Sequence, residues 1–209
     1  MLEARLALVA RWCRPFHEVA DVGAGAGRLS RYLVRLGHKV WASELRPQGV
    51  QHLTESVAGY DIQVVAGDGL RAFAALPPLA VIAGMGGVTI ARILQPAPPN
   101  LTVIVQPMQG WRRLRAVLAT GPWRLLNVGL VVEKGRFYPT WMVQRNAVRS
   151  RWHPLLPVEF RTEPGYAAWL RELWRQREQA RRPRPEELRF FDALEEEMRA
   201  WGERNCTNA

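Results

Sequence analysis

The sequence predicts an α/β fold: a mostly parallel sheet whose last strand runs antiparallel, followed by a small C-terminal helical hairpin. Three observations carry this. An apolar run, Glu18-Val19-Ala20-Asp21-Val22, leads into the glycine-rich turn Gly23-Ala24-Gly25-Ala26-Gly27 and then into an amphipathic stretch, the strand–loop–helix order at which a parallel sheet binds a nucleotide. Acidic residues stand just past the ends of three successive strand-like runs or within them. After five strands the pattern switches to a hairpin signal, and beyond about residue 150 it switches again, to amphipathic helix.

Taken in order, residues 18–22 form the first strand and 28–36 the first helix. The second strand, 39–43, ends at Glu44, and the third, 62–66, runs into Gly67-Asp68-Gly69. Residues 79–83 and 101–105 are continuous apolar runs, as strands buried on both faces require. A helix over 111–118 stops at Gly121-Pro122. Residues 123–132 and 137–143 are strand-like runs separated by Glu133-Lys134-Gly135-Arg136, a hairpin signal. Pro154, Pro157 and Pro164 mark a linker, and 166–181 reads as a helix with Trp169, Leu170, Leu173 and Trp174 on one face. Arg182-Pro183-Arg184-Pro185 breaks it. A second helix over 186–204 carries Leu188, Phe191, Leu194, Met198 and Trp201 at three- and four-residue steps, so the pair reads as an antiparallel hairpin. The domains are therefore 1–150 and 151–209. The apolar stripe of the hairpin serves packing, or the arginines at its break serve as an RNA clamp; both readings stand.

The glycine spacing separates two cofactor classes. A dinucleotide fingerprint needs a sixth-position glycine to seat a helix under a pyrophosphate, and here that position is Arg28. What stands instead, Asp21-x-Gly23-x-Gly25-x-Gly27, resembles the first motif of class I S-adenosylmethionine-dependent methyltransferases. Its ligand has no phosphate, so small residues that let backbone approach an amino acid and a sulfonium suffice. Glu44, with Leu45 beside it, is placed to accept from ribose hydroxyls, and Asp68 from an adenine amine, with Gly69 lining the ring. Ala83, ending the fourth strand, completes the cofactor set.

The chain of 209 residues, 48% hydrophobic, suits one α/β domain with an appendage. No apolar run is long enough to span a membrane and the N-terminus has no signal-like core, so a cytoplasmic location is expected. Cys13 and Cys206 are the only cysteines, read as reduced thiols, and they form no metal-type spacing with the four histidines, so no metal is expected. The net charge of +10 points to a polyanionic partner such as RNA. Nearly all of it is arginine, in clusters at Arg28, Arg31 and Arg35, at Arg112, Arg113 and Arg115, and at Arg175, Arg177, Arg181, Arg182 and Arg184. Arg28, Arg112 and Arg115 are candidate substrate contacts, and Trp111, Tyr138 and Trp141 are candidate receiving surfaces for an exposed base.

The segments Ile82-Ala83-Gly84-Met85-Gly86-Gly87, Val105-Gln106-Pro107, Leu114-Arg115 and Glu133 to Tyr138 resemble TrmK-like proteins, bacterial tRNA (adenine-N1) methyltransferases acting at the adenine numbered 22 in the D-arm region. The resemblance runs from about Arg5 to about Arg145. It implies a Rossmann-like class I methyltransferase sheet, S-adenosyl-L-methionine as cofactor, a tRNA substrate, and a C-terminal coiled-coil extension in the helical pair. Gly84 and Met85 would then stand at the reacting base, carbonyl oxygens stabilising the cationic ring and the Met85 thioether packing on its face. The first motif departs from the family. TrmK-like proteins commonly read Gly-Ser-Asp-His there, with the Asp proposed to assist catalysis, where this chain has Gly23-Ala24-Gly25-Ala26. Two alternatives stand beside this reading: a methyltransferase of a small molecule or protein, and a non-catalytic RNA-binding protein on a methyltransferase fold.

Overall fold

The computed structural model describes residues 2–146, 148, 150–153, 155–179 and 185–206. The chain divides into two compact units, Met1–Ser150 and Arg151–Ala209. The first contains α1 (Ala4–Cys13), β1 (Glu18–Val22), α2 (Arg28–Arg35), β2 (Lys39–Glu44), α3 (Pro47–Ser56), β3 (Ile62–Ala66), β4 (Leu79–Gly86), α4 (Gly87–Ile93), β5 (Thr102–Gln109), α5 (Trp111–Thr120), β6 (Trp123–Glu133) and β7 (Arg136–Arg145).

The seven strands form one sheet in the order β3-β2-β1-β4-β5-β7-β6. Strands β1 to β5 pair in parallel, and β7 runs antiparallel to both β5 and β6. This is the sheet expected from the sequence. The central strands carry apolar stretches buried on both faces because helices cover both: Val19, Ala20, Leu79, Ala80, Val81, Ile82, Val103, Ile104 and Val105 are all fully buried. Val9 and Cys13 of α1 and Leu33 of α2 join Val19, Val40, Leu79 and Val81 in one continuous core cluster.

Several boundaries differ from expectation. Helix α2 ends at Arg35 because Leu36 has already left helical geometry and Gly37 turns left-handed at φ +88°. Strand β4 continues three residues past Ala83, through Gly84, Met85 and Gly86, and β5 runs on to Gln109. The β6–β7 turn falls at Lys134-Gly135, both at positive φ (49° and 71°), as a two-residue hairpin loop prefers. Among the described residues, no helix is long and apolar enough to cross a membrane.

In the second unit, α6 (Tyr166–Gln179) and α7 (Pro185–Cys206) follow a 3-10 turn at Val158–Phe160. The helices pack antiparallel: the Tyr166 ring, at the start of α6, meets Trp201 edge-on at 5.1 Å, and Arg177, near its end, reaches Glu195 at 3.4 Å. The carboxylate of Glu197, only 5% exposed, accepts from Arg161 Nε at 2.7 Å and from the Tyr166 hydroxyl at 3.2 Å. Burial and that carboxylate push the Tyr166 phenol well above its usual range. Arg181 at the end of the predicted helix and Arg182, Pro183 and Arg184 of the predicted break lie outside the described residues, as does Pro154 of the predicted linker. Of the arginines offered as an RNA clamp, Arg175 is paired with Glu172 at 2.9 Å and Arg177 covers the Trp174 ring at 4.3 Å.

Candidate active site

Strand β1 lies between β2 and β4, so the chain leaves β1 in one direction and β4 in the other. The crevice at the C-terminal ends of those strands is where open α/β sheets bind ligands. The glycine-rich loop fills its floor. The N–H groups of Gly23 and Ala24 donate to the Ser43 carbonyl at 2.9 and 3.0 Å, tying the loop to the end of β2. Glu44 Oε1 accepts from the Gly25 N–H at 2.7 Å. A cavity of about 440 Å³ opens beside this contact, with Glu44, Leu45, Asp68, Gly69, Met85 and Arg92 among its walls. Leu45 is 53% exposed, an apolar side chain left open at a polar rim. Both oxygens of Asp68 accept from Arg92 of α4, at 3.0 and 3.3 Å.

A second cavity, about 320 Å³, shares Gly23 with the first and is lined by Arg5, Asp21, Gly25, Arg28, Ala83 and Gly84 among others. Asp21 is 5% exposed and accepts from the Ser30 hydroxyl at 2.6 Å. Burial, reinforced by the charge of Glu44, raises its carboxyl to about 6 despite the Ser30 bonds. Burial and the Asp21 charge likewise push the Cys13 thiol up to about 12, so it stays protonated and unreactive at neutral pH. The Asp21 shift has a stability consequence. Between pH 4 and 6 the folded chain holds a proton at Asp21 that the unfolded chain has released, so this group's contribution to stability falls as pH rises through that window, by on the order of 3 kcal/mol. Asp21→Asn, which keeps an acceptor for Ser30, should gain in Tm relative to the parent between pH 4 and pH 7; a difference in Tm independent of pH would contradict the shift.

Gly84 and Met85 occupy an irregular end of β4. The pairing with β5 runs Ala83 to Gln106 and then Met85 to Pro107, so Gly84 is the extra residue of a bulge, and its φ of +83° is the left-handed conformation that glycine supplies there. The Met85 side chain reaches back over the loop: a Cβ at Gly23 would lie 2.0 Å from Met85 Cε. Its methyl thus rests on the first glycine of the loop, at the junction of the two cavities.

Other expected residues are distributed unevenly. Asp21, Gly23, Gly25, Arg28, Ala83 and Gly84 share the second cavity, and Gly23, Glu44, Leu45, Asp68, Gly69 and Met85 the first. Gly27 lines neither. It is buried at the start of α2, where a Cβ would approach Val57 Cγ1 to 2.5 Å, so its role is to let α2 pack close to α3. Arg115 and Tyr138, 3% and 7% exposed, present no surface to an RNA, and Trp141 is fully buried opposite Val105 and Val128. Trp111 and Arg112 open α5, the guanidinium 5.1 Å from the ring centroid, and line neither cavity.

The sequence reading missed Arg5, Glu3 and Arg92. Arg5 Nη1 donates to the buried Gln106 Oε1 at 3.1 Å, and Gln106 Nε2 donates in turn to the Pro107 carbonyl at 2.8 Å. Glu3 pairs with Arg5 and, at 3.1 Å, with Arg28. No local pattern marks Arg5, because its partner Gln106 is 101 positions away.

Several solved structures are similar to this chain over nearly its full length. One from Streptococcus pneumoniae, in complex with S-adenosyl-L-methionine, is 24% identical, with 97% of this chain and 99% of that chain covered and a TM-score of 0.75. The M. capricolum TrmK, in complex with S-adenosyl-homocysteine, is 18% identical, with coverage of 98% and 97% and a TM-score of 0.71. The B. subtilis M1A22 tRNA methyltransferase TrmK is 22% identical, with coverage of 97% and 98% and a TM-score of 0.64. No curated protein matches the sequence significantly. The model of the methyltransferase domain family matches residues 2–140, from α1 into β7 and across both cavities, and the chain belongs to that family.

Proposed function

We propose that the protein transfers a methyl group from S-adenosyl-L-methionine to N1 of an adenine in the D-arm region of tRNA, position 22, in the cytoplasm. The observation that carries this reading is the Gly84 bulge with Met85 at the junction of two cavities that meet at Gly23: one with the acceptors a nucleoside needs, the other open beside the end of β4. The tRNA methyltransferases of like fold from B. subtilis and M. capricolum support it.

The residues present fit the cofactor. A cavity of about 440 Å³ is of the size that small-molecule cofactors fill, and a side chain at Gly23 would block the junction. Glu44 holds the loop through one oxygen and accepts from ribose hydroxyls with its remaining lone pairs. Asp68, oriented by Arg92, keeps lone pairs for an adenine amine, and Leu45 and Gly69 line the ring. Asp21 and Arg5 offer opposite charges to an amino group and a carboxylate. When bound, the cofactor supplies an electrophilic methyl carbon on a sulfonium.

In the transfer, a bond forms from adenine N1 to that carbon as its bond to sulfur breaks, and the positive charge passes from sulfur to the base. N1 carries a free lone pair at neutral pH, so no proton has to be removed. Residues at positions 24 to 27 that lack any acid or base are therefore compatible with the reaction, and the chain's task is to position the reactants. Backbone oxygens at Gly84 and Met85 stabilise the exocyclic amine as the ring becomes cationic. Met85 rests where a side chain at Gly23 would stand, and its unbranched thioether can swing aside for a ligand.

The test is incubation of the purified protein with labelled S-adenosyl-L-methionine and unmodified tRNA transcripts, with the modified base mapped by mass spectrometry. Label at adenine N1 in the D-arm region is the expected result. Intact cofactor binding with no label in any tRNA would overturn the substrate assignment.

A further inference from the structure

The exposed face of α2 is basic and adjoins the Asp21 cavity. Arg31 and Tyr32 stand three and four residues after Arg28, and Arg35 four and three after them, so the four share one helix face, opposite the buried Leu29, Ser30 and Leu33. A third cavity, about 350 Å³, opens on this face and is lined by Leu2, Glu3, Arg28, Arg31, Tyr32 and Arg35. Glu3 and Arg28 also line the Asp21 cavity, so the two are neighbours separated by that ion pair.

Arg28 is paired with Glu3, whereas Arg31 and Arg35 are oriented by an aromatic side chain. The guanidinium groups of Arg31 and Arg35 lie 5.9 and 5.3 Å from the Tyr60 ring centroid, and Arg35 donates to the Tyr60 hydroxyl. Among the described residues, neither has a carboxylate within ion-pair distance. Like charges placed on one face repel one another, and a planar guanidinium with free donors matches phosphate oxygens in a way an ammonium does not. From Arg28 to Arg35 the row spans two helical turns, about 10 Å.

We propose that this face of α2 holds the phosphate backbone of the RNA strand that carries the target base, with Arg31 and Arg35 gripping phosphates next to the nucleotide that enters the cavity at Gly84. The inference rests on the RNA substrate proposed above and adds where the strand lies. Phosphate contacts set register and orientation without reading sequence, which suits a site whose chemistry depends on positioning.

The test compares Arg31→Ala/Arg35→Ala with a charge-matched pair, Arg11→Ala/Arg14→Ala, at the far end of α1. For each protein, tRNA affinity is measured between about 50 and 200 mM salt, together with KM and kcat for tRNA and the affinity for S-adenosyl-homocysteine. The α2 pair should raise Kd and KM for tRNA about tenfold and lower the slope of log K against log salt by about 1.5, with kcat and S-adenosyl-homocysteine affinity largely kept. Arg31→Lys/Arg35→Lys should restore most of the slope but not all of the affinity. An equal loss in the charge-matched pair would show a general charge effect and overturn the proposal. If the wild-type protein methylates tRNA and the α2 pair leaves KM and slope unchanged, the α2 proposal alone fails. If the wild-type protein neither binds nor methylates tRNA, the RNA reading fails and takes this one with it.

Discussion

Glu44→Ala is expected to weaken S-adenosyl-homocysteine binding about a hundredfold while leaving Tm within a few degrees of the parent. Hydrogen bonds to a charged group contribute roughly 1.5–3 kcal/mol each, and about 3 kcal/mol is a hundredfold in affinity. In the proposed complex the carboxylate makes such bonds to the ribose, and it also fixes the loop through the Gly25 N–H at 2.7 Å. The folded chain itself loses only that one bond, which is exposed and replaceable by water, at about 1 kcal/mol, or some 2–4 °C in a protein of this size. Removing the Glu44 charge also removes one of the influences that raise the Asp21 carboxyl, so Asp21 should ionise at lower pH in the variant. Titration calorimetry and a pH series of thermal melts read both effects. Affinity within threefold of the parent would mean that Glu44 serves the loop and not the ligand.

The second large effect is expected at Gly87, and its neighbour provides the control. A Cβ at Gly87 would lie 2.2 Å from the Gly110 carbonyl oxygen and 2.8 Å from its carbon, backbone atoms that cannot swing aside. A Cβ at Gly86 meets nothing closer than Gln109 Nε2 at 4.0 Å, and the φ of Gly86, −70°, is ordinary for any residue. Gly87→Ala must therefore push the start of α4 away from the β5–α5 turn, at a cost of about 3 kcal/mol and a fall in Tm of about 6–12 °C. Gly86→Ala should melt within about a degree or two of the parent. Because Gly87 directly follows the irregular end of β4, its displacement should also disturb the Gly84 bulge and depress methyl transfer beyond the loss of folded protein. Thermal unfolding of the two variants side by side decides the matter; equal melting temperatures would mean the approach of Gly87 to Gly110 is looser than described.

Much of the site was legible because of a property of parallel sheets. Strands that run the same way bring their C-terminal ends to one edge, so residues that close successive apolar runs, such as Glu44 and Asp68, converge without any contact being visible in the sequence. The Gly23 to Gly27 loop was legible for the same reason. The antiparallel β7 followed from a turn signal at Lys134-Gly135.

Less could be read where a residue's chemistry permits more than one environment. Arginine, tyrosine and tryptophan combine apolar bodies with polar tips, and composition alone does not say which part is covered. Arg115 and Tyr138 were therefore expected at an RNA surface and are buried, while Arg5, unremarkable in sequence, sits on Gln106 beside Asp21. Gly27 was assigned to the ligand because it continues the glycine pattern, yet its missing side chain makes room for Val57.

The sequence by itself determined the order of the strands, the mostly parallel sheet and the residues that close its strands, because hydrophobic period and turn chemistry are local, whereas α1, α3 and α4 were given no bounds by it. Only the tertiary structure decided that Met85 rests on Gly23, that Asp68 is held by Arg92, and that Arg31 and Arg35 gather around Tyr60. Those facts depend on which distant segments the folded sheet brings within a few ångströms of one another, and nothing in the spacing along the chain encodes that distance.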